Sequence, residues 1–209
     1  MIKLVVICRV FVSEYMIYRW RVMARENKDL DITLIGHIEF KSNEFGKGNK
    51  ELALGSFEED RFHYIPATFK RSRLYSDGIG GLRGWLRLHH PDFVYLIGLE
   101  TDDVSLQVAY VKRRYLPNMK IAMFSMRGPD MPTYLRYRIR WTILKRFYDA
   151  IFVHYPHGVE IMREQGGYKG PVYMQTQLGV NNEWFHPNIK AQKKYERSTE
   201  SVTMTMCLV

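Results

Sequence analysis

Cysteine is nearly missing from this sequence: Cys8 and Cys207 are the only two in 209 residues, and they stand at opposite ends. Thiols so placed cannot build a disulfide framework, which points to a reducing compartment, the cytoplasm. Long apolar runs are missing as well. The opening run Leu4-Val5-Val6-Ile7 is soon followed by Arg9, and no stretch reaches eighteen uncharged apolar residues. Neither a signal peptide nor a spanning helix is therefore expected, which leaves a soluble protein or one peripheral on a membrane surface. Zinc-finger spacing, a basic heptad region and an aromatic ribonucleoprotein motif are all absent, so nucleic acid is not the expected partner. Metal-ligand spacing is also lacking: His154 and His157 are three apart, but Pro156 lies between them. There is no internal repeat.

What is present fits a folded domain. A hydrophobic content of 46% with 25% charged residues lies in the globular range and argues against wholesale disorder. The formal charge of +9 calls for an anionic counterpart. With nucleic acid set aside, an anionic membrane surface or a phosphorylated substrate remains.

The chain then reads as alternating strands and helices. Residues 2–12 form a nearly continuous aliphatic run, as in a strand buried on both faces of a parallel sheet. A helix over 15–26 and a short strand over 31–36 complete a βαβ unit. Residues 41–60 are polar and without period, and read as a long loop. A short strand over 62–65 and a helix from Leu82 to His90 follow. Strands are expected over 93–97, 120–124, 150–153 and 172–175, with helices over 104–115, 133–148 and 156–164. At least five parallel strands alternating with helices predict a doubly wound, mostly parallel α/β sheet, Rossmann-like, with helices on both faces. The expected domain covers 1–187. Residues 188–209 turn polar, then briefly apolar, and read as a linker and truncated tail.

From Pro91 to Pro187 the order of features carries a resemblance. Pro91-Asp92-Phe93-Val94-Tyr95 opens a strand, and Glu100 stands just past its end. Phe147-Tyr148-Asp149-Ala150-Ile151-Phe152-Val153 leads into another strand, and Gly166-Gly167-Tyr168-Lys169-Gly170-Pro171-Val172 follows. The stretch ends in Leu178-Gly179-Val180-Asn181-Asn182-Glu183-Trp184-Phe185-His186-Pro187. This resembles the N-terminal, acceptor-side domain of family-four-like GT-B glycosyltransferases, whose Gly-Val-Asp-x-x-x-Phe-x-Pro junction leads into a second domain. In that light Gly179, Asn181, Phe185 and Pro187 form an interdomain hinge. Asn181 replaces the family's aspartate, Ser125 stands where several relatives have a histidine, and no Gly-Gly turn follows the first strand. The family's donor-gripping Gly-Arg turn and Glu-x7-Glu pair do not follow Pro187.

The resemblance implies metal-independent transfer of a sugar from a nucleotide-sugar donor to the hydroxyl of a sugar or lipid-linked acceptor, with no separate cofactor. It assigns Glu100 as the catalytic carboxylate and Ser13, Glu14, Ser125 and Arg127 to substrate binding. Without its C-terminal partner domain the chain is expected to be inactive. A non-catalytic Rossmann-like subunit, binding a partner enzyme or a membrane surface, is the alternative; a nucleotide-dependent oxidoreductase is a weaker one.

Several features admit a plainer reading. Glu51 and Glu59 have Glu-x7-Glu spacing but lie in the early loop without the family's glycines. Gly78-Ile79-Gly80-Gly81-Leu82-Arg83-Gly84 fails the dinucleotide-loop pattern at Arg83 and reads as a helix entry. Asp102 and Asp103 suit either a ligand site or the cap of the following helix. The helix over 133–148 contains no acid and bears two apolar stripes. Tyr134, Tyr137, Trp141, Leu144 and Tyr148 form one; Leu135, Ile139, Ile143 and Phe147 form the other, on the far side. One stripe must pack on the sheet. The second meets either a neighbouring helix or an anionic bilayer.

Overall fold

A computed structural model describes residues 1–8, 14–37, 39–40, 51–52, 57–70, 78–98, 100–126, 132 and 134–175. All of them belong to the unit Met1–Gln177. The expected domain boundary after Pro187 lies outside the described residues.

In chain order the elements are β1 (Ile2–Cys8), α1 (Glu14–Glu26), β2 (Leu30–His37), β3 (Glu39–Phe40), β4 (Glu51–Leu52), β5 (Phe57–Glu59) and β6 (Phe62–Ala67). Then come β7 (Phe69–Lys70), β8 (Gly78–Ile79), α2 (Leu82–His89), β9 (Phe93–Gly98), α3 (Asp103–Arg114) and β10 (Lys120–Ser125). The last are α4 (Leu135–Leu144), β11 (Ala150–Val153), α5 (His157–Glu160), a π-helical turn over Ile161–Gln165, and β12 (Val172–Met174).

Eight strands form one sheet in the order β12-β11-β10-β9-β1-β2-β6-β5. Every neighbouring pair is parallel except β5 with β6. The protein is thus α/β with a mostly parallel sheet, compatible with a Rossmann-like fold. β3 with β4 and β7 with β8 form two small antiparallel pairs. The polar stretch 41–60, expected as loop, contributes β4 and the edge strand β5. These two- and three-residue strands are made by cross-strand pairing rather than by apolar patterning.

The central strands are apolar at nearly every position, and side chains on both faces of β1 are buried against helices. On β1, Val6 and Cys8 join α1 residues Ile17, Trp20 and Ala24 in one core. Val5 and Ile7 join the other core, with Leu86 of α2, Val108 of α3 and Trp141 of α4. Removing each such aliphatic from water contributes about 1.5–3 kcal/mol. The first strand is described as far as Cys8; the rest of the run expected to continue to Val12 lies outside the described residues.

Two aspartates set register at the amino edge. The Asp92 carboxylate accepts the Lys3 amide at 2.8 Å, and the Asp92 amide donates to the Lys3 carbonyl at 3.0 Å. Asp149 repeats the device one strand pair away: its carboxylate accepts the Ile121 amide at 2.8 Å, and its own amide donates back at 2.8 Å. Lys112 and Lys120 also donate to Asp149. Burial pushes the pKa of Asp149 up, but the bonds from Lys112, the Ile121 amide and Lys120 outweigh it and hold the carboxyl below its usual range. The aspartates of Pro91-Asp92-Phe93 and Tyr148-Asp149-Ala150 thereby do a fold-level task.

The glycine-rich run after β7 is the entry to α2. Gly81 adopts φ 76° at the N-cap, a left-handed conformation that a Cβ would strain. Helix α4 ends at Leu144, four residues short of the expected Tyr148. The Phe147 amide reaches the Leu144 carbonyl at 2.9 Å, which tightens the final turn.

Candidate functional site

Strand order reverses between β1 and β9: the chain builds outward through β2 and β6 on one side, and through β10, β11 and β12 on the other. In open parallel sheets such a reversal opens a crevice beyond the carboxyl ends of the strands, where ligands bind. Glu100 and Thr101 stand there past β9, with Ser125 and Met126 at the end of β10. The Met126 amide donates to the Gly98 carbonyl at 3.0 Å and ties the two strand ends together.

Glu100 was expected to face the cleft as an open carboxylate. Instead it has 0% exposure and accepts a hydrogen bond from the Ser125 hydroxyl. Ser125 is itself buried, and its carbonyl lies 3.4 Å from Nδ1 of His154. The structure therefore brings Glu100 and Ser125 together but turns the pair inward. A carboxylate so placed holds the two strand ends together from inside.

A polar chain clamps the loop that carries Glu100. The Tyr148 hydroxyl donates to the Glu100 carbonyl, and the Tyr168 hydroxyl donates to the Tyr148 carbonyl at 3.0 Å. Burial pushes the Tyr148 hydroxyl far up, with the Glu100 charge adding to the effect and a Ser105 bond opposing it, so it stays a neutral donor. Burial, helped by the Asp149 charge, raises Tyr168 to about 12. From α4, Arg140 donates to the Thr101 carbonyl at 2.9 Å and pairs with Asp103 at 2.8 Å. Trp141 Nε1 donates to the Gly166 carbonyl at 2.6 Å, which ties the same helix to the segment before β12.

Arg140, Tyr148 and Tyr168 were not expected as site residues from the sequence. Arg140 looked like one more surface cation of a basic helix. Its signal was position: it borders the Tyr137–Trp141–Leu144 stripe that turns inward. Asp102 occupies the N-cap position of α3 without a side-chain capping bond, and Asp103 serves the ion pair with Arg140.

The remaining expected residues are less informative. Glu14 opens α1 rather than lying in a loop. Ser13, Arg127, Gly179, Asn181, Phe185 and Pro187 lie outside the described residues. Among the described residues, no group of three or more His, Cys, Asp or Glu side chains could hold a metal ion. Nor, among them, is any helix long and apolar enough to cross a membrane.

A hollow of about 410 Å³ lies at the other edge, near the amino ends of β1, β2 and β6. Lys3, Asp31, Glu58, His63, Trp85 and His89 line it, and His63 Nε2 meets Asp31 Oδ1 at 3.1 Å. It does not touch Glu100 or Ser125. The crevice remains the better candidate because parallel strands converge their loops there.

No family model matches this chain, and no curated protein matches it either.

Proposed function

We propose that this chain is the doubly wound, acceptor-side Rossmann-like domain of a GT-B-type glycosyltransferase. The observation that carries the reading is the reversal of strand order between β1 and β9, with Glu100 and Ser125 joined beyond the carboxyl ends. The crevice there forms the acceptor wall. Glu100 and Ser125, buried together, hold the strand ends that shape this wall. Arg127, which follows β10 in sequence, supplies charge for a phosphate on the donor or on a lipid-linked acceptor. The nucleotide-sugar donor is gripped by a second domain. Basic groups and a helix N-terminus there stabilise charge on the departing nucleotide phosphate, so the transfer needs no metal.

A second reading, a non-catalytic Rossmann-like subunit of a partner enzyme, is favoured by the zero exposure of Glu100. One experiment separates the two. The product of the whole gene is incubated with labelled nucleotide sugars and a membrane extract, and label in the extract is counted. Transfer is expected, together with a reading frame beyond codon 209 that encodes Gly-Arg and Glu-x7-Glu. No transfer from any nucleotide sugar, with no such frame, overturns the glycosyltransferase reading.

A further inference from the structure

Of the two apolar stripes on the fourth helix, only one is buried. Tyr137, Trp141, Leu144 and Tyr148 pack into the core. Leu135, Ile139 and Ile143 do not: they are 72%, 53% and 48% exposed. At four-residue spacing they form a narrow line about 12 Å long on the outside of α4. On a helical projection Arg138 lies on one side of that line, Arg136 on the other, and Arg146 near its far end.

Charge on the three longer helices of this face is one-sided, whereas Glu160 and Glu164 belong to α5 and the π-helical turn, which reach the same core. The helices α2, α3 and α4, which share one face of the sheet, contain a single acid, Asp103, and it is paired with Arg140. Arg83, Arg87, Arg113 and Arg114 add to the cations of α4. Two of these stack on exposed tyrosines: Arg83 lies 4.8 Å above Tyr110, and Arg87 lies 4.2 Å above Tyr115. On the opposite face, α1 mixes its arginines with Glu14 and Glu26.

We propose that the outer face of α4 docks in the plane of an anionic lipid bilayer. An apolar line flanked by arginines and free of acids is the pattern of an in-plane amphipathic helix. The aliphatics enter the acyl boundary while the arginines reach back to the headgroups. Charge complementarity selects this occupant, because the neighbouring helices extend the positive surface on which anionic headgroups collect. A duplex nucleic acid would match the charge but leave Leu135, Ile139 and Ile143 without a counterpart. Because α4 returns from the carboxyl edge, its Leu135 end lies on the Glu100 side of the sheet. Docking therefore brings the crevice near the lipid surface. The docking rests on exposure and charge alone and holds whether or not the chain transfers sugar.

The test is co-sedimentation of the 209-residue chain with vesicles of phosphatidylcholine alone, or of equal parts phosphatidylcholine and phosphatidylglycerol. Binding to the mixed vesicles, weakened by salt and negligible on pure phosphatidylcholine, is expected. The double variant Ile139→Gln with Ile143→Gln should lose about a hundredfold in partitioning, about tenfold for each aliphatic withdrawn from the acyl boundary. Arg138→Gln with Arg146→Gln should lose about tenfold or more at low salt, at about 1 kcal/mol per cation. Melting curves confirm that the variants fold, and Leu135→Gln provides a third readout at the most exposed position of the line. Three results overturn the proposal: no binding to mixed vesicles; binding that ignores all three aliphatic positions; or retention by a DNA duplex that needs the arginines but not the aliphatics, without vesicle binding.

Discussion

The two edges of the sheet use carboxylates in opposite ways. At the amino edge, Asp92 and Asp149 stand where water still reaches, and each accepts a backbone amide from the adjacent strand. At the carboxyl edge, Glu100 is removed from water altogether and holds a side chain, Ser125, while Tyr148, Thr101 and Arg140 hold the loop around it. The amino-edge acids can be removed one at a time at modest cost, because solvent substitutes for what they lose. The carboxyl-edge groups cannot, since each leaves a buried partner unsatisfied. That rigid loop beyond a strand end is what supports the functional site proposed at this edge.

The largest break in this comparison should come from Arg140→Met. The change leaves Asp103 and the Thr101 carbonyl without their cation in a poorly hydrated place, and a loss of about 3–5 kcal/mol in urea unfolding is expected. Tyr148→Phe should follow, with a loss of about 1–3 kcal/mol, because the Glu100 carbonyl loses its donor while the ring packing is kept.

The amino-edge variants should cost less. Asp149→Asn is expected to lose about 1–2 kcal/mol at neutral pH, since its bonds are charge-assisted but part-exposed. Its pH dependence sharpens the contrast. The folded-state carboxyl of Asp149 is held below its ordinary value of 3.8, so its contribution is fully present above that value and is lost as pH falls through the folded one. The stability gap between wild type and Asp149→Asn should be flat above about pH 5 and should narrow below about pH 4. The smallest effect should be Asp92→Asn, under about 1 kcal/mol, because the amide oxygen still accepts the Lys3 amide.

Much of the fold was legible in the sequence. The strands β1, β9, β10 and β11 stand out because nearly every position is aliphatic or aromatic, the mark of burial on both faces. The short strands β3, β4 and β5 were invisible, since two or three residues in a polar stretch pair only when a partner edge is supplied. The apolar stripes of α4 could be drawn from periodicity, but which one turns inward depends on the neighbouring layers. At the crevice, sequence position placed Glu100 and Ser125 beyond consecutive strand ends. It did not show their burial, because Glu100-Thr101-Asp102-Asp103 is polar enough to look like an exposed turn. Nor did it show that Arg140, Tyr148 and Tyr168 converge on that turn from segments about 40 to 70 residues further along the chain.

Comparing Glu100→Gln with Asp92→Asn in sugar transfer tests the division of labour between the two edges most directly. The measurement is kcat, with KM for the acceptor, in the sugar transfer proposed for the product of the whole gene, alongside the melting temperature of each variant. The account predicts that Glu100→Gln lowers kcat by about a hundredfold, the scale on which misplaced reacting groups slow an enzyme, while Asp92→Asn transfers at the wild-type rate. Wild-type kcat in Glu100→Gln, or an equal loss in Asp92→Asn, would contradict it.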